Sequence, residues 1–341
     1  MLSRFKSAAR VLLKGDAKKK KRNPIPAITA AEVAEIKQFF PREKFFIFGH
    51  ARSGTTLLMR LIRLHPDVHC NYQAHFFTRQ PLLKSLVNTP EAEEWLTRKS
   101  NRWNQGRDLS PLILRAAADF ILERDAAKEG KRIVGDKSPS STIHGQAVRD
   151  MHSIYPDAKL VYIVRDGRDV LVSERFRNLV EESKFLKAED KRIIEELRKD
   201  QSPFTDGTHS IFTETVIRRV ASGWVKNLQE TDEEGRRLFG ENYCRLRYED
   251  LLAHPFDEMQ KLWKFLGVQA EPSLEKTIIE EMSSNPDEEW QTKRNEGIAS
   301  FLPKGHAGNW ERLFTARDKS VFNEVAGEML IKWNYEKDLN W

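Results

Sequence analysis

Arg52-Ser53-Gly54-Thr55-Thr56 is a dense set of anion-binding groups placed where the backbone can reinforce it. The run Phe45-Phe46-Ile47-Phe48 before it is short enough for a buried strand, and Leu57, Leu58, Leu61 and Ile62 after it repeat at helical spacing. Strand, glycine-bounded loop and helix form a cradle. Loop amides and the helix N-terminus face one anion, with the positive end of the helix dipole behind them. Gly49 and Gly54 keep the four-residue gap of a nucleotide phosphate loop, but Thr55 stands where that loop carries lysine. The cation, Arg52, lies inside the turn instead. A second set follows a second buried strand, Ala158 to Val164: Arg165 stands at its end, with Ser173 and Arg177 further along the next helix on roughly one face. Ligands of open parallel sheets lie at the carboxyl ends of strands, so these three side chains are positioned to meet one anionic group. The competing reading is a solvated basic helix face, since Arg175 is equally charged. Val68 to Phe77 reads as another strand near the first, with Gln73 and His75 on one face beside the loop.

Strands alternating with helices hold these groups, which predicts a three-layer α/β domain with a largely parallel central sheet. Further strands are expected at Lys131 to Val134 and Tyr243 to Leu246. Helices are expected at Ala30 to Phe40 (Thr29 as cap, Glu32 completing a capping box), Pro111 to Lys128, Thr142 to Tyr155 and Ile211 to Leu228. Phe256 to Leu266, Pro272 to Met282 and Ala316 to about Trp333 follow. Residues 181–201 are highly charged without a strong apolar face, as in a solvated helix or a lid. The organisation is a basic, flexible tail over residues 1–27 and a single domain over 28–341.

A chain of 341 residues with 39% hydrophobic and 32% charged residues is globular in composition. Its net charge of +6 belongs to the tail, because residues 1–23 carry +8 and the rest sums to −2. A near-neutral body is not that of a nucleic-acid binder. Two cysteines, Cys70 and Cys244, make no disulfide framework or zinc spacing, so a cytoplasmic setting is the default. No run approaches the ~20 apolar residues of a membrane span. Leu2, Phe5, Ala9, Leu12 and Leu13 share a helical face before the pentabasic Lys18 to Arg22, so residues 1–22 are either a solvated tail or a weak contact peripheral to an anionic membrane surface. His65 and His69 have a metal-like spacing, but Pro66 disfavours a helix carrying both, and no metal site is expected.

Four segments in order resemble those of sulfotransferases that use 3′-phosphoadenylyl sulfate (PAPS), especially bacterial and tyrosylprotein members. GHARSGTTLLMRLIRLHPDV is similar to their 5′-phosphosulfate loop, and KLVYIVRDGRDVLVSERFR to their 3′-phosphate motif. RYEDLLAHP resembles a segment near the adenine, and LPKGHAGNW a C-terminal loop that closes over the phosphates. The resemblance covers roughly residues 42–315. It implies a P-loop-type fold and metal-independent in-line transfer of a sulfuryl group from PAPS to a hydroxyl or amine. It implies donor contacts from Arg52, Ser53, Gly54, Thr55, Thr56, Arg165, Ser173, Arg177, Tyr248, Lys304 and Gly305. Lys137, in a GDKSP turn similar to a family motif, is implied as a neutraliser of transition-state charge beside Arg52.

The proton acceptor departs from the family pattern. Gln73 stands where the family often has Glu, and it cannot accept a proton; His75 is the candidate base, Asp136 the runner-up, with Gln73 orienting the substrate. The rival readings are a P-loop nucleotide kinase or NTPase with Asp166 on its metal side, and a non-catalytic nucleotide-binding scaffold. The acceptor (sugar, lipid, small metabolite or peptide) and the oligomeric state are unknown at this level.

Overall fold

The computed structural model describes residues 22–100, 102–181, 186–284 and 306–341. Residues 1–21 of the tail expected over 1–27, and the pair Lys304 and Gly305, lie outside the described residues. The principal elements are α1 (Ala30–Ile36), β1 (Glu43–Gly49), α2 (Thr55–Ile62), β2 (Val68–Tyr72), α3 (Ser110–Lys128), β3 (Ile133–Lys137) and α4 (Gly145–Ile154). They continue with β4 (Lys159–Val164), α5 (Gly167–Val180), α6 (Glu214–Phe239), β5 (Tyr243–Arg247), α7 (Pro255–Leu266) and α8 (Ala316–Lys332). Among the described residues no helix is long and apolar enough to cross a membrane.

All five strands run parallel, in the order β2-β3-β1-β4-β5. The continuous apolar runs of β1 and β4 require cover on both faces, and both faces have it. Phe45 and Ile47 of β1 pack with Leu58, Leu61 and Ile62 of α2 and Leu262 and Trp263 of α7. Phe46 and Phe48 point the other way, to a core with Leu114, Met151, Trp224 and Leu228. Helix, sheet and helix are therefore the three layers. With β1 central, the chain passes to β2 and β3 on one side and β4 and β5 on the other, so the carboxyl ends of β1, β3 and β4 meet at the topological switch point. The amino ends are tied by buried charge: Lys44 Nζ lies 2.7 Å from Glu123 and 3.6 Å from Asp119, and Arg115 pairs with Asp119 and Asp157 at 2.9 and 2.8 Å.

The capping box is present: Thr29 Oγ1 accepts the Glu32 N–H at 3.3 Å and Glu32 accepts the Thr29 N–H at 2.8 Å. Thr29→Ala is expected to cost about 1 kcal/mol, read as a lower urea midpoint at unchanged m-value.

Four expectations are corrected. β2 stops at Tyr72 and β3 separates it from β1; Gln73 and His75 have φ of 58° and 54°, so they share no strand face. β3 extends through Lys137, so Gly135-Asp136-Lys137 is strand and not turn. Gly135 permits this because a Cβ there would lie 2.5 Å from the Phe45 ring. α6 runs on to Phe239, well past Leu228. The helix Ala188–Lys199 has an apolar face after all, burying Ile193, Ile194 and Leu197.

Candidate active site

β1 ends at Gly49, and the chain turns through Arg52 and Gly54, both left-handed with φ of 73° and 83°, before α2 opens at Thr55. No side chain caps α2, so its first-turn N–H groups face the loop's hollow with the positive end of the helix. Ser53 Oγ is buried there with no hydrogen-bond partner. The Tyr248 ring lies directly on Gly54: a Cβ at that position would be 2.2 Å from Tyr248 Cδ2.

The second anion position is joined to the first. Arg52 Nε donates to Ser173 Oγ at 3.0 Å, and Arg165 Nη1 donates to the Arg52 carbonyl at 3.2 Å. Arg165 also donates through Nη2 to the His306 carbonyl at 3.0 Å, and its guanidinium stacks 4.6 Å from the centre of the Tyr248 ring. Arg165 Nε remains buried and without a partner. A buried hydroxyl and a buried guanidinium N–H left unsatisfied at adjacent positions are costly unless an acceptor arrives, and anionic oxygens meet that need. Arg177, predicted to join them, bonds Glu181 at 2.9 Å with a half-exposed side chain. Arg175, its apparent equivalent, is buried against Asp190 at 2.7 Å and the Ile211 carbonyl.

On the other side of the loop, Lys137 ends β3 fully buried, its Nζ 3.2 Å from Thr56 Oγ1 and 3.8 Å from the centre of the Tyr72 ring. Burial pushes its ammonium down to about 8, against the pull of Asp136. Asp136 is buried too, which pushes its carboxyl up to about 6. Its Oδ1 accepts the Ala74 N–H at 2.9 Å and its Oδ2 accepts the Ser138 hydroxyl. Ser138 Oγ accepts the His75 N–H at 2.9 Å, and the Lys137 carbonyl accepts the Gln73 N–H at 3.0 Å. Three backbone bonds from the end of β3 thus fix the Gln73–His75 turn. His75 is half-buried, with Nδ1 2.9 Å from Thr78 Oγ1; desolvation, then Arg79 and Lys137, hold its imidazole below its ordinary range.

The structure therefore gathers Arg52, Ser53, Gly54, Thr55, Thr56, Lys137, Arg165, Ser173 and Tyr248 around one loop and sets His75 on the turn beside Lys137. It also brings in Tyr72 and Asp169, which sequence reasoning missed; a strand-end aromatic and an acid one turn beyond Arg165 were the available signals. Asp166, the carboxylate of the kinase reading, is held by Arg168 through three guanidinium bonds of 3.0, 3.1 and 2.6 Å, and the Arg168 guanidinium also lies 3.7 and 4.5 Å from the ring centres of Trp310 and Trp341. His65 bonds the Gln269 carbonyl and His69 bonds Glu129, so the two rings serve different partners.

Comparison with known proteins identifies the family. The profile of the sulfotransferase family matches residues 44–272. A protein-tyrosine sulfotransferase of Drosophila melanogaster is 26% identical over 227 residues, 65% of this chain and 38% of that protein. A protein-tyrosine sulfotransferase A of Caenorhabditis elegans is 23% identical over 227 residues, 65% of this chain and 49% of that protein. The chain thus spans less than half the length of these relatives. Among solved structures, a sulfotransferase domain from the curacin biosynthetic pathway superposes with a TM-score of 0.49 at 17% identity, covering 84% of this chain and 97% of that one. A mouse sulfotransferase complexed with PAP gives 0.47 at 16% identity, covering 94% and 97%. With a family match running from the start of β1 past α7, the chain belongs to the sulfotransferase family.

Proposed function

We propose that this chain moves a sulfuryl group from PAPS to a hydroxyl or amine acceptor by in-line displacement. One observation carries the reading: Arg52 links two anion positions, donating from the phosphate loop to Ser173, beside an Arg165 whose buried Nε has no partner. A 5′-phosphosulfate in the loop with a 3′-phosphate at Arg165 fits that pair, whereas a nucleoside triphosphate offers nothing to the second position. The bound donor supplies the sulfuryl group and the leaving phosphate.

The protein supplies the field. Loop amides, the first turn of α2, Thr55 and Thr56 hold the 5′ oxygens, and Arg52 and Lys137 offset charge growing on the leaving side. Arg165 and Ser173 bind the 3′-phosphate, and the Tyr248 ring backs both Arg165 and Gly54. His75 takes the acceptor proton: the tautomer that donates Nδ1–H to Thr78 leaves Nε2 as acceptor. Asp136, with both oxygens engaged inside the fold, holds the turn that carries His75 and is not itself the base.

Calorimetry with adenosine 3′,5′-bisphosphate against ATP-magnesium tests the donor, and preference for ATP-magnesium overturns it. Labelled donor screened against extract fractions tests transfer. The named relatives are protein-tyrosine sulfotransferases, so a tyrosine peptide belongs in that screen beside sugars, lipids and small metabolites. Binding without transfer to any fraction favours a scaffold. His75→Ala is expected to lower kcat by about 10² with donor affinity unchanged. It also removes an acid limb in which wild-type activity falls as pH drops through the imidazole pKa, below the ordinary 6.5. Near-normal turnover at saturating donor would assign the base elsewhere.

A further inference from the structure

Asp169 sits in the first turn of α5, four residues beyond Arg165, and is almost fully buried. Its carboxylate works in two directions. Oδ2 lies 3.7 Å from Arg165 Nη2 and accepts the Gly308 N–H at 2.8 Å, while Oδ1 accepts the Trp310 N–H at 3.3 Å. The segment fastened in this way presents the His306 carbonyl to Arg165. Arg165 is then confined by the Arg52 carbonyl on one side, the His306 carbonyl on the other and the Tyr248 ring against its plane. A planar guanidinium so confined has its Nε–H direction set. Burial raises the Asp169 carboxyl, and Arg165 is the chief group opposing that rise.

We propose that Asp169 is a positioning residue for the 3′-phosphate site: by pinning residues 306–310 to the start of α5, it holds the His306 carbonyl against Arg165 and fixes the aim of Arg165 Nε. The proposal rests on the donor reading above. Both Asp169 oxygens are engaged within the fold, and its charge alone would work against binding, because a carboxylate competes with phosphate for the guanidinium. Pinning and competition therefore predict opposite signs.

The test is calorimetry of the full chain with adenosine 3′,5′-bisphosphate and with adenosine 5′-phosphate. Wild type is expected to prefer the bisphosphate. Asp169→Ala is expected to lose about ten-fold in bisphosphate affinity, the worth of one or two hydrogen bonds, with 5′-phosphate affinity unchanged. That unchanged value also shows a folded loop. Asp169→Asn keeps one acceptor oxygen for Gly308 and is expected to lie between the two. Amide exchange at Gly308 and Trp310 gives a second readout, faster in Asp169→Ala and partly restored in Asp169→Asn. Bisphosphate binding by Asp169→Ala equal to or tighter than wild type overturns the proposal. So does tighter-than-wild-type binding by Asp169→Asn, or unchanged exchange at the two amides. A wild type that does not distinguish the two nucleotides overturns the donor reading, and this proposal with it.

Discussion

Lys137→Ala is expected to lower kcat by about 10³ while donor affinity changes by less than about ten-fold. The asymmetry follows from where the ammonium sits. It is fully buried, and among the described residues it touches a hydroxyl and an aromatic face but makes no ion pair. A buried cation whose neighbouring carboxylate, Asp136, makes no direct pair with it is costly to the resting fold and is most valuable when negative charge grows beside it. Ground-state binding of the donor, spread over the loop amides and the two arginines, depends on it less. The pH dependence has two parts of opposite sign. In the proposed role activity needs the charged ammonium, so kcat/KM, which follows the free enzyme, falls as pH rises through about 8, and Lys137→Ala lacks that limb. Stability runs the other way. With the folded pKa below the unfolded one, the unfolded chain binds more protons between about 8 and 10.5, and stability rises with pH across that window. Lys137→Met should accordingly be inactive yet at least as stable as wild type at neutral pH. Stopped assays across pH 6–10 and urea melts at pH 7 read the two parts; an active or markedly destabilised Lys137→Met would refute the assignment.

How much of this was legible in the sequence divides along physical lines. The loop, Arg165 at its strand end and Ser173 were readable because each depends on local pattern: an apolar run, a glycine-bounded turn, a helical offset. The turn at Gln73 to His75 was not. Strand periodicity was extended five residues too far there, because the chain is pulled out of β2 by bonds from Asp136, Lys137 and Ser138, more than sixty residues away. Arg175 and Arg177 look interchangeable in sequence, and only Asp190 and the Ile211 carbonyl decide which one is buried. The place of β2 outside β3 is likewise a matter of topology, which hydrophobic pattern does not carry. Asp169 escaped notice for the same reason, since its partners lie some 140 residues on.

Gly54→Ala is expected to weaken bisphosphate binding by about 100-fold or more, and to destabilise the fold by about 2–4 kcal/mol. Two costs coincide at this position. The backbone holds φ at 83°, where a Cβ is strained, and the added methyl would lie 2.2 and 2.4 Å from Tyr248 Cδ2 and Cε2. The ring has little room to retreat, because Tyr248 is buried and the Arg165 guanidinium stacks on it. Displacing Tyr248 therefore moves Arg165, and one methyl group in the phosphate loop disturbs the 3′-phosphate position as well. A double-mutant cycle separates the two costs. In the Tyr248→Ala background the clash is gone and only the backbone strain remains, so Gly54→Ala should cost at least 1 kcal/mol less there than in wild type. Equal costs in both backgrounds would mean that the ring does not restrain the loop. The two anion positions would then be independent rather than one site sharing a wall.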